Sequence, residues 1–565
     1  MTDFGPNKYN CELIINPSSY VLKDVIAIDI ETDEKDNFVG LAVCGSSKTV
    51  YYTTELNSIR RIVTDRKLVT HGGKFDLIML RKWGIPVSSD QLLYDTKVMA
   101  HFLNPIKGRY GLKGLAEEYC GMKWPTYKEI VGTGKKKVTL DQQPIERVAR
   151  YCGMDALATF KVYEYLNARL LKSQKEYLNE IEMPFYRALL EMEEKGIQVD
   201  AEYLKKLDAQ FLIEMERLEN RLNQYVKEPF NPRSPKQVIK ALKEYGVRVN
   251  STDSRLLNYF KDRYPMVQDL LKYREVSKLR STYTHALLEN PTLPRIHSFF
   301  SPTRTVTGRL ASSKPNLQNI PIRTEKGKLL RKAFCAKEGH VLLAADYSQI
   351  EYRLFTHLTQ DSTLLDVYET GKDIHVAAAS KSYRIPYDDV DDSQRRIGKT
   401  LNFAAIYGAM SKKIAQILSI PQSEAEQLLD TYWKELPKAA AWITRIKWEA
   451  HKNEGVQTLL GYYIPLPEIR SKRQFDRFHA ERQAVNYIIQ GSAAEVIKKA
   501  MINLRKDGLI PVLQVHDELL FEVKDDPKVI AESYLTIKRI MENVMQLSVP
   551  LTVDIGSGKT WGDAK

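Results

Sequence analysis

Residues Val512–Val523 read VLQVHDELLFEV, two strand-like apolar runs closing around His516, Asp517 and Glu518. A plain two-residue hairpin would carry Asn-Gly or Asp-Gly at its tip. Three ionisable groups there, two of them acidic, call for a cationic partner, because crowded like charges are costly unless neutralised.

A matching carboxylate lies far upstream. GHVLLAADYSQIEYRLFTHL (Gly339–Leu358) passes from a strand at Val341–Ala345 through Asp346 into a helix. An Asp that only caps a helix does not account for Gln349, Glu351 and Arg353 following at once in the first turns. Brought together, Asp346 and Asp517 form an acidic pair that can hold two Mg²⁺ ions about 3.5–4 Å apart.

Between them lies SQRRIGKTLNFAAIYG (Ser393–Gly408). Arg395, Lys399, Phe403 and Tyr407 recur every fourth residue, so each step drifts only about 40° and the four form one slowly winding stripe. Gly408 is placed to end the helix. A surface helix with snorkelling basic residues would share this spacing. The alternative is a triphosphate along the cationic turns, with base and sugar against the aromatic ones.

Near the N-terminus, VIAIDIET puts Ile26, Ile28 and Ile30 on one strand face and Ala27, Asp29 and Glu31 on the other. With both faces apolar at its start, this is expected to be a central strand. THGGKFDLIML adds Asp76 just before an apolar helix, and YCGMDALATF sets Tyr151 and Asp155 one helical turn apart. Taken singly, Asp76 reads as an N-cap and Asp155 as a solvated helix residue.

A chain of 565 residues is too long for one core, so two to four domains are expected. Charged residues are 27% and hydrophobic residues 43%, as in soluble globular proteins. The excess of Lys and Arg over Asp and Glu, 84 − 71 = 13, favours a polyanionic partner. Cys11, Cys44, Cys120, Cys152 and Cys335 are scattered and suggest neither a disulfide framework nor a zinc site. No signal peptide or membrane-length apolar run is present, which reads as a cytosolic, reducing setting. The segments read as a mixed α/β region from residue 21 to about 165 and an almost wholly helical stretch from Tyr165 to Tyr283. Three prolines in EPFNPRSPKQ (Glu228–Gln237) break that stretch, and a larger α/β region follows. LYDTKVMAHFL (Leu93–Leu103) reads as helix, and GTGKKKVTL (Gly132–Leu140) as a solvated, mobile loop. IGSGKTW (Ile555–Trp561) is not a P-loop, because Val553 stands where its first Gly is required.

DYSQIEYR, RRIGKTLNFAAIYG and QVHDEL resemble motifs A, B and C of the family A DNA polymerases. The likeness extends to FNPRSPKQ, YREVSKLRSTY, TVTGRLASSKPNLQNIP, GKDIH and AERQAVNYIIQGSAAEVIKKAM, nearly the whole chain. The D-x-E, K-F-D and Y-x-x-x-D segments resemble the proofreading 3′–5′ exonuclease domain of DNA polymerases. The resemblance implies a multidomain α/β fold. An RNase H-like exonuclease domain (1–175) precedes a right-hand polymerase domain (176–565), with thumb at about 176–290, palm at about 291–375 and 470–565, and fingers at about 376–469.

It also implies roles. Asp346, Asp517 and the Tyr347 carbonyl would hold two Mg²⁺ ions, with Glu518 beside them. Asp29, Glu31, Asp76 and Asp155 would hold two more divalent ions, Mn²⁺ being an alternative, while Tyr151 orients a water. Arg395, Lys399 and His375 would bind the dNTP triphosphate, and Lys399 could protonate pyrophosphate. Phe403 would face the sugar and Tyr407 the nascent pair. Gln349 belongs to the nucleotide site, and Glu351 would exclude a 2′-hydroxyl. Arg309, Arg482, Asn486, Gln490 and His516 would touch primer–template DNA, and a single-stranded 3′ end would enter the exonuclease site. Selectivity would come from closing the Arg395–Tyr407 helix over a correctly shaped pair.

Four departures stand out: Gly72 where an Asn is usual, Tyr352 for Leu, Ala404 for Gly, and GYYIPLP for an Arg-rich segment. WGDAK also replaces an end in His. The 28 residues before Asp29 leave no room for a 5′-nuclease domain. The thumb lacks the long insertion of some viral members. This size suggests a bacteriophage source, acting as a monomer in the host cytoplasm.

Overall fold

The computed structural model describes residues 5–134, 137–322 and 324–564. Lys135 and Lys136 of the Gly132–Leu140 loop, on which the expectation of a mobile segment falls, lie outside the described residues.

The N-terminal region is built on six strands: β1 (Glu12–Ile15), β2 (Val25–Thr32), β3 (Phe38–Ser46), β4 (Thr49–Thr53), β5 (Lys67–Thr70) and β6 (Leu92–Asp95), ordered β1-β4-β3-β2-β5-β6. β2 is interior, antiparallel to β3 and parallel to β5. Ile26, Ala27 and Ile28 are fully buried on both its faces, as a central strand requires. Helices α1 (Lys74–Lys82), α2 (Thr96–Leu103), α3 (Leu112–Cys120) and α4 (Ile145–Asn167) surround the sheet, with α4 against β2 and β3. The helix expected over Leu93–Leu103 starts later. Leu92–Asp95 is an edge strand, and Asp95 caps α2 by accepting from the Lys97 and Val98 N–H groups.

The following segment is helical, with α5 (Met183–Lys195), α6 (Ala201–Gln224) and α7 (Pro265–Leu279). Leu204, Leu207, Phe211, Met215, Leu218 and Leu222 make one buried stripe that packs α6 on α7. The proline-rich break falls where expected: α6 ends at Gln224 and the next helix begins at Pro235. The stretch is not wholly helical. Strand β7 (Ile197–Val199) follows Gly196, whose positive φ of 59° ends α5. It lies between β8 (Arg295–Ile296) and β9 (Phe334–Cys335).

The C-terminal region centres on a four-stranded antiparallel sheet. Its strands β10 (His340–Tyr347), β11 (Leu513–Val515), β12 (Glu518–Lys524) and β13 (Val553–Gly558) run in the order β11-β12-β10-β13. The helices of this region include α8 (Ile350–Thr359), α9 (Ile374–Tyr383), α10 (Asp392–Tyr407), α11 (Gln422–Glu435), α12 (Gln474–Lys506) and α13 (Pro527–Glu542), of which α13 packs on the sheet.

Ion pairs link the N-terminal region to the rest. Lys74, in the first turn of α1, pairs with Glu193 of α5 and donates to the Phe300 carbonyl at 2.6 Å. The same Glu193 carboxylate accepts from the Phe300 N–H at 2.6 Å. Arg505 of α12 reaches Asp90 and Glu191. Lys74 and Glu193 are both buried, and removing one partner of such a pair costs about 3–5 kcal/mol, whereas the exposed Asp90 contact contributes little. The five cysteines are free thiols. No described helix is long and apolar enough to cross a membrane.

Candidate active sites

The first acidic cluster assembles from three elements. β2 contributes Asp29 and Glu31 on one face, the first turn of α1 contributes Asp76, and one turn of α4 contributes Tyr151 and Asp155. Ligand atoms of Asp29, Glu31 and Cys152 all lie within 4.8 Å of one another. Asp76 is not a cap: the cap position of α1 is Gly73, and Asp76 is 9% exposed inside the turn. Asp155, also 9% exposed, is not solvated either.

Burial pushes the Asp29 carboxyl well above its usual range, and the charges of Asp155, Glu31 and Asp76 add to this. Glu31 is raised by burial, then by Asp155 and Asp76. Burial lifts Asp76 to about 7. Such a set of crowded, desolvated oxygens suits a hard divalent cation.

Three neighbours were not singled out in the sequence. The Lys113 ammonium lies 3.2 Å from Asp155 Oδ1, and the Trp124 indole N–H donates to the same oxygen at 2.8 Å. Lys113 also sits over the Trp124 and Tyr151 rings, 4.1 and 4.7 Å from their centroids. Lys113 thus gives the cluster an internal cation, and burial raises the Asp155 pKa against the pull of Lys113 and Trp124. The Cys152 thiol donates to the Asp29 carbonyl at 3.3 Å, and burial keeps it protonated. Gly72 also gains a reason: its φ is +80°, and its N–H donates to Asp95 at 2.6 Å. A side chain there is strained by the backbone, not by crowding.

A folded-state pKa near 7 for Asp76, against 3.8 for the free group, opposes folding wherever the group is ionised. The penalty is absent below the lower value, grows between the two and is complete above the higher one. Asp76→Asn should therefore raise the melting temperature by several degrees at pH 8 in chelator. It should do nothing below pH 4, and divalent metal should narrow or reverse the gap at pH 8. Thermal scans of both proteins under these conditions check it, and a variant no more stable at pH 8 in chelator would contradict it.

The second cluster lies on the C-terminal sheet. Val515 pairs with Glu518, so the hairpin tip is a two-residue loop of His516 and Asp517. His516 takes φ +56°, the left-handed conformation such tight loops demand and Gly or Asn usually supplies. Its carbonyl accepts from the Gln514 amide, which Gln318 engages in turn at 2.7 Å. Here the chain accepts backbone strain to place an acid.

The Tyr347 N–H donates to the Asp517 carbonyl at 3.2 Å. Across the ladder Asp346 faces Glu518 on one side and Asp554 on the other. The two predicted acids are therefore neighbours. Burial raises Asp517 to about 6, relieved by Arg309 and increased by Glu351 and Asp346. Glu518 is 3% exposed and accepts from the Trp561 indole at 2.9 Å, with the Arg331 guanidinium stacked on that ring. The Tyr347 side chain is committed to the Met541 carbonyl at 2.7 Å, leaving only its backbone for a site.

Helix α10 presents the predicted stripe and ends at left-handed Gly408. The Phe403 and Tyr407 rings lie 6.2 Å apart at 17°, and His375 follows 6.4 Å from Phe403. Lys399 is exposed. Arg395 is held at 2.8 Å by Asp373, the cap of α9. Glu351 bridges two predicted residues, accepting from Arg309 and, at 2.7 Å, from the Tyr407 hydroxyl. A cavity of about 130 Å³ gathers Gln349, Glu351, Tyr352, His375, Phe403 and Asp517 on its walls. On α12, Arg482, Asn486 and Gln490 recur every fourth residue. The Asn486 amide nitrogen is buried without a partner among the described residues, and Arg482 packs against Gly408.

Two family models match the chain: "DNA polymerase family A" over residues 201–563 and "3′-5′ exonuclease" over residues 16–171. The chain is 35% identical over 531 residues to DNA polymerase I of Pseudomonas aeruginosa, covering 90% of this chain and 58% of that protein. Against DNA polymerase I of Treponema pallidum it is 34% identical, covering 93% and 54%. Against the thermostable DNA polymerase I of Thermus aquaticus it is 39% identical, covering 68% and 48%. It thus spans roughly half the length of these relatives. They are bacterial and lend no support to a phage source. A solved structure, the POL domain of Pol1 from M. smegmatis with DNA primer-template and dNTP, superposes with a TM-score of 0.84. The two are 30% identical, and the match covers 95% of this chain and 96% of that one.

Proposed function

The chain belongs to DNA polymerase family A and carries a 3′–5′ exonuclease domain; from this we propose that it extends a DNA primer on a template and trims mismatched 3′ ends. One observation carries the reading. The chain carries two separate sets of desolvated carboxylates, and the second borders a cavity that also holds His375 and Phe403 beside Asp517.

The donor sets fit hard divalent cations: Asp346, Asp517 and the Tyr347 carbonyl at one centre, Asp29, Glu31, Asp76 and Asp155 at the other. We assign two Mg²⁺ to each. When bound, these ions would neutralise phosphate charge and acidify the attacking hydroxyl or water. The protein supplies positioning and charge. Arg395 and Lys399 grip the triphosphate, Arg395 exchanging its partly exposed Asp373 partner for phosphate at little cost. Lys399 protonates the leaving pyrophosphate. His375 serves the triphosphate as well, and the Phe403–Tyr407 pair beside it offers flat faces to sugar and base. Glu351, held from both sides, stays where a 2′-hydroxyl would project. Arg309, His516, Arg482, Asn486 and Gln490 line the primer–template path. At the other centre Tyr151 orients the attacking water, while Lys113 holds Asp155 in place.

Template-dependent extension of a labelled primer, with matched and mismatched 3′ ends, tests this reading. A duplex partner also imposes a salt law, because phosphate contacts release counterions. Primer–template affinity should fall by ~10³-fold between 50 and 200 mM salt if about six or more phosphates are contacted. Fluorescence anisotropy measures it, and a flat response would remove DNA as the partner.

A further inference from the structure

Tyr352, where the family usually has Leu, is 5% exposed on the wall of the nucleotide cavity. Its hydroxyl lies 2.9 Å from Asn402 Oδ1 and 2.7 Å from the Tyr432 hydroxyl. Tyr432 in turn lies 3.1 Å from the same Asn402 oxygen. On its other side, Asn402 Nδ2 is 3.0 Å from the Ile374 carbonyl and 3.0 Å from His375 Nδ1. The cluster joins α8, α9, α10 and α11. Asn402 at its centre is 1% exposed.

Donor and acceptor rules orient every group. A backbone carbonyl only accepts, so the amide atom against Ile374 must be the nitrogen. Its second hydrogen then points at His375 Nδ1, which must accept. The proton of a neutral imidazole therefore sits on Nε2. The two tyrosine hydroxyls hold two hydrogens for three contacts. Every arrangement but mutual opposition leaves at least one donated to Asn402 Oδ1, and this pins the amide. Burial pushes His375 down to about 4, with Asp373 opposing and Lys399 and Arg395 assisting. The ring is therefore neutral near pH 7, and its tautomer decides what it can do.

We propose that Tyr352, Tyr432 and Asn402 are positioning residues that lock His375 as the Nε2–H tautomer, so that it meets the incoming triphosphate as one fixed neutral donor. The inference rests on the polymerase reading for its ligand, but not for the tautomer. The opposite tautomer would offer a lone pair to phosphate oxygens and repel them. Tyr352 adds a second hydroxyl to a role that Tyr432 alone could fill, so the pair is redundant by construction.

That redundancy sets the test. Tyr352→Phe and Tyr432→Phe should each raise KM for dNTP by less than about 1.5-fold. The double variant should raise it about tenfold or more, well beyond the product of the two, with a smaller change in kcat. Degradation of single strands by the same preparations reports that the fold is intact. Independently, ¹⁵N-histidine spectra at pH 7.5, with His375→Gln identifying the signal, should show His375 protonated at Nε2 in the unaltered protein. A tautomer mixture is expected in the double variant and in Asn402→Ala. A proton on Nδ1 in the unaltered protein, or an unchanged tautomer in both variants, overturns the proposal. A wild-type chain unable to extend a primer would sink the polymerase reading and leave the tautomer result standing.

Discussion

Asp517→Ala is expected to lower primer extension by ~10³-fold or more while leaving single-strand degradation within about twofold of the unaltered protein. Asp517 occupies the second position of a two-residue loop, and the backbone on both sides is tied down independently of its side chain. The substitution thus removes a carboxylate and not a turn. It also deletes a buried acid whose ionisation is opposed by burial and by Asp346 and Glu351, so the protein should be no less stable at pH 8. Asp346→Ala should match it, because Asp346 pairs with Glu518, the residue next to Asp517, and its charge acts on the Asp517 carboxyl. Extension and degradation measured on one preparation, with a melting curve, decide the matter. Surviving extension, or joint loss of both activities in a folded protein, would refute the assignment.

The mirror result is expected of Asp29→Ala: degradation of a single-stranded 3′ end falls by ~10³-fold and extension of a matched primer persists. Asp29 is the acid on which the charges of Asp155, Glu31 and Asp76 all converge. Removing it relieves the charge crowding on its neighbours, and retained extension with an unchanged melting curve would separate loss of chemistry from loss of fold. A mismatched terminus should then stall or be extended uncorrected. Should the variant still trim at the normal rate, the four-acid cluster is not the nuclease.

Much of this was legible because short-range periodicity encodes local geometry. Alternation in VIAIDIET put Asp29 and Glu31 on one face, and fourfold spacing put Arg395, Lys399, Phe403 and Tyr407 on one stripe. What escaped was contact across long separations. Lys113 reads as an ordinary basic residue beside a helix start, and only the packing of α3 on α4 carries it to Asp155. Trp561 stands both at the end of the P-loop-like segment and at the start of WGDAK, and neither pattern discloses that it holds Glu518. The aspartate in GKDIH caps α9 and restrains Arg395 from another helix, which no spacing could disclose. At β7 the helical reading failed because three residues are too few to set a period against long flanking helices.

The Lys74–Glu193 pair has a practical corollary for anyone dissecting the molecule. Lys74 stands two residues before Asp76 on the same turn, and its counter-ion belongs to the other half of the chain. A fragment cut before Met183 would lose that anchor, and the turn bearing Asp76 would be free to drift from Asp29. Editing by such a fragment should be feeble however well it folds, so point substitutions, not truncation, are the way to study trimming by itself.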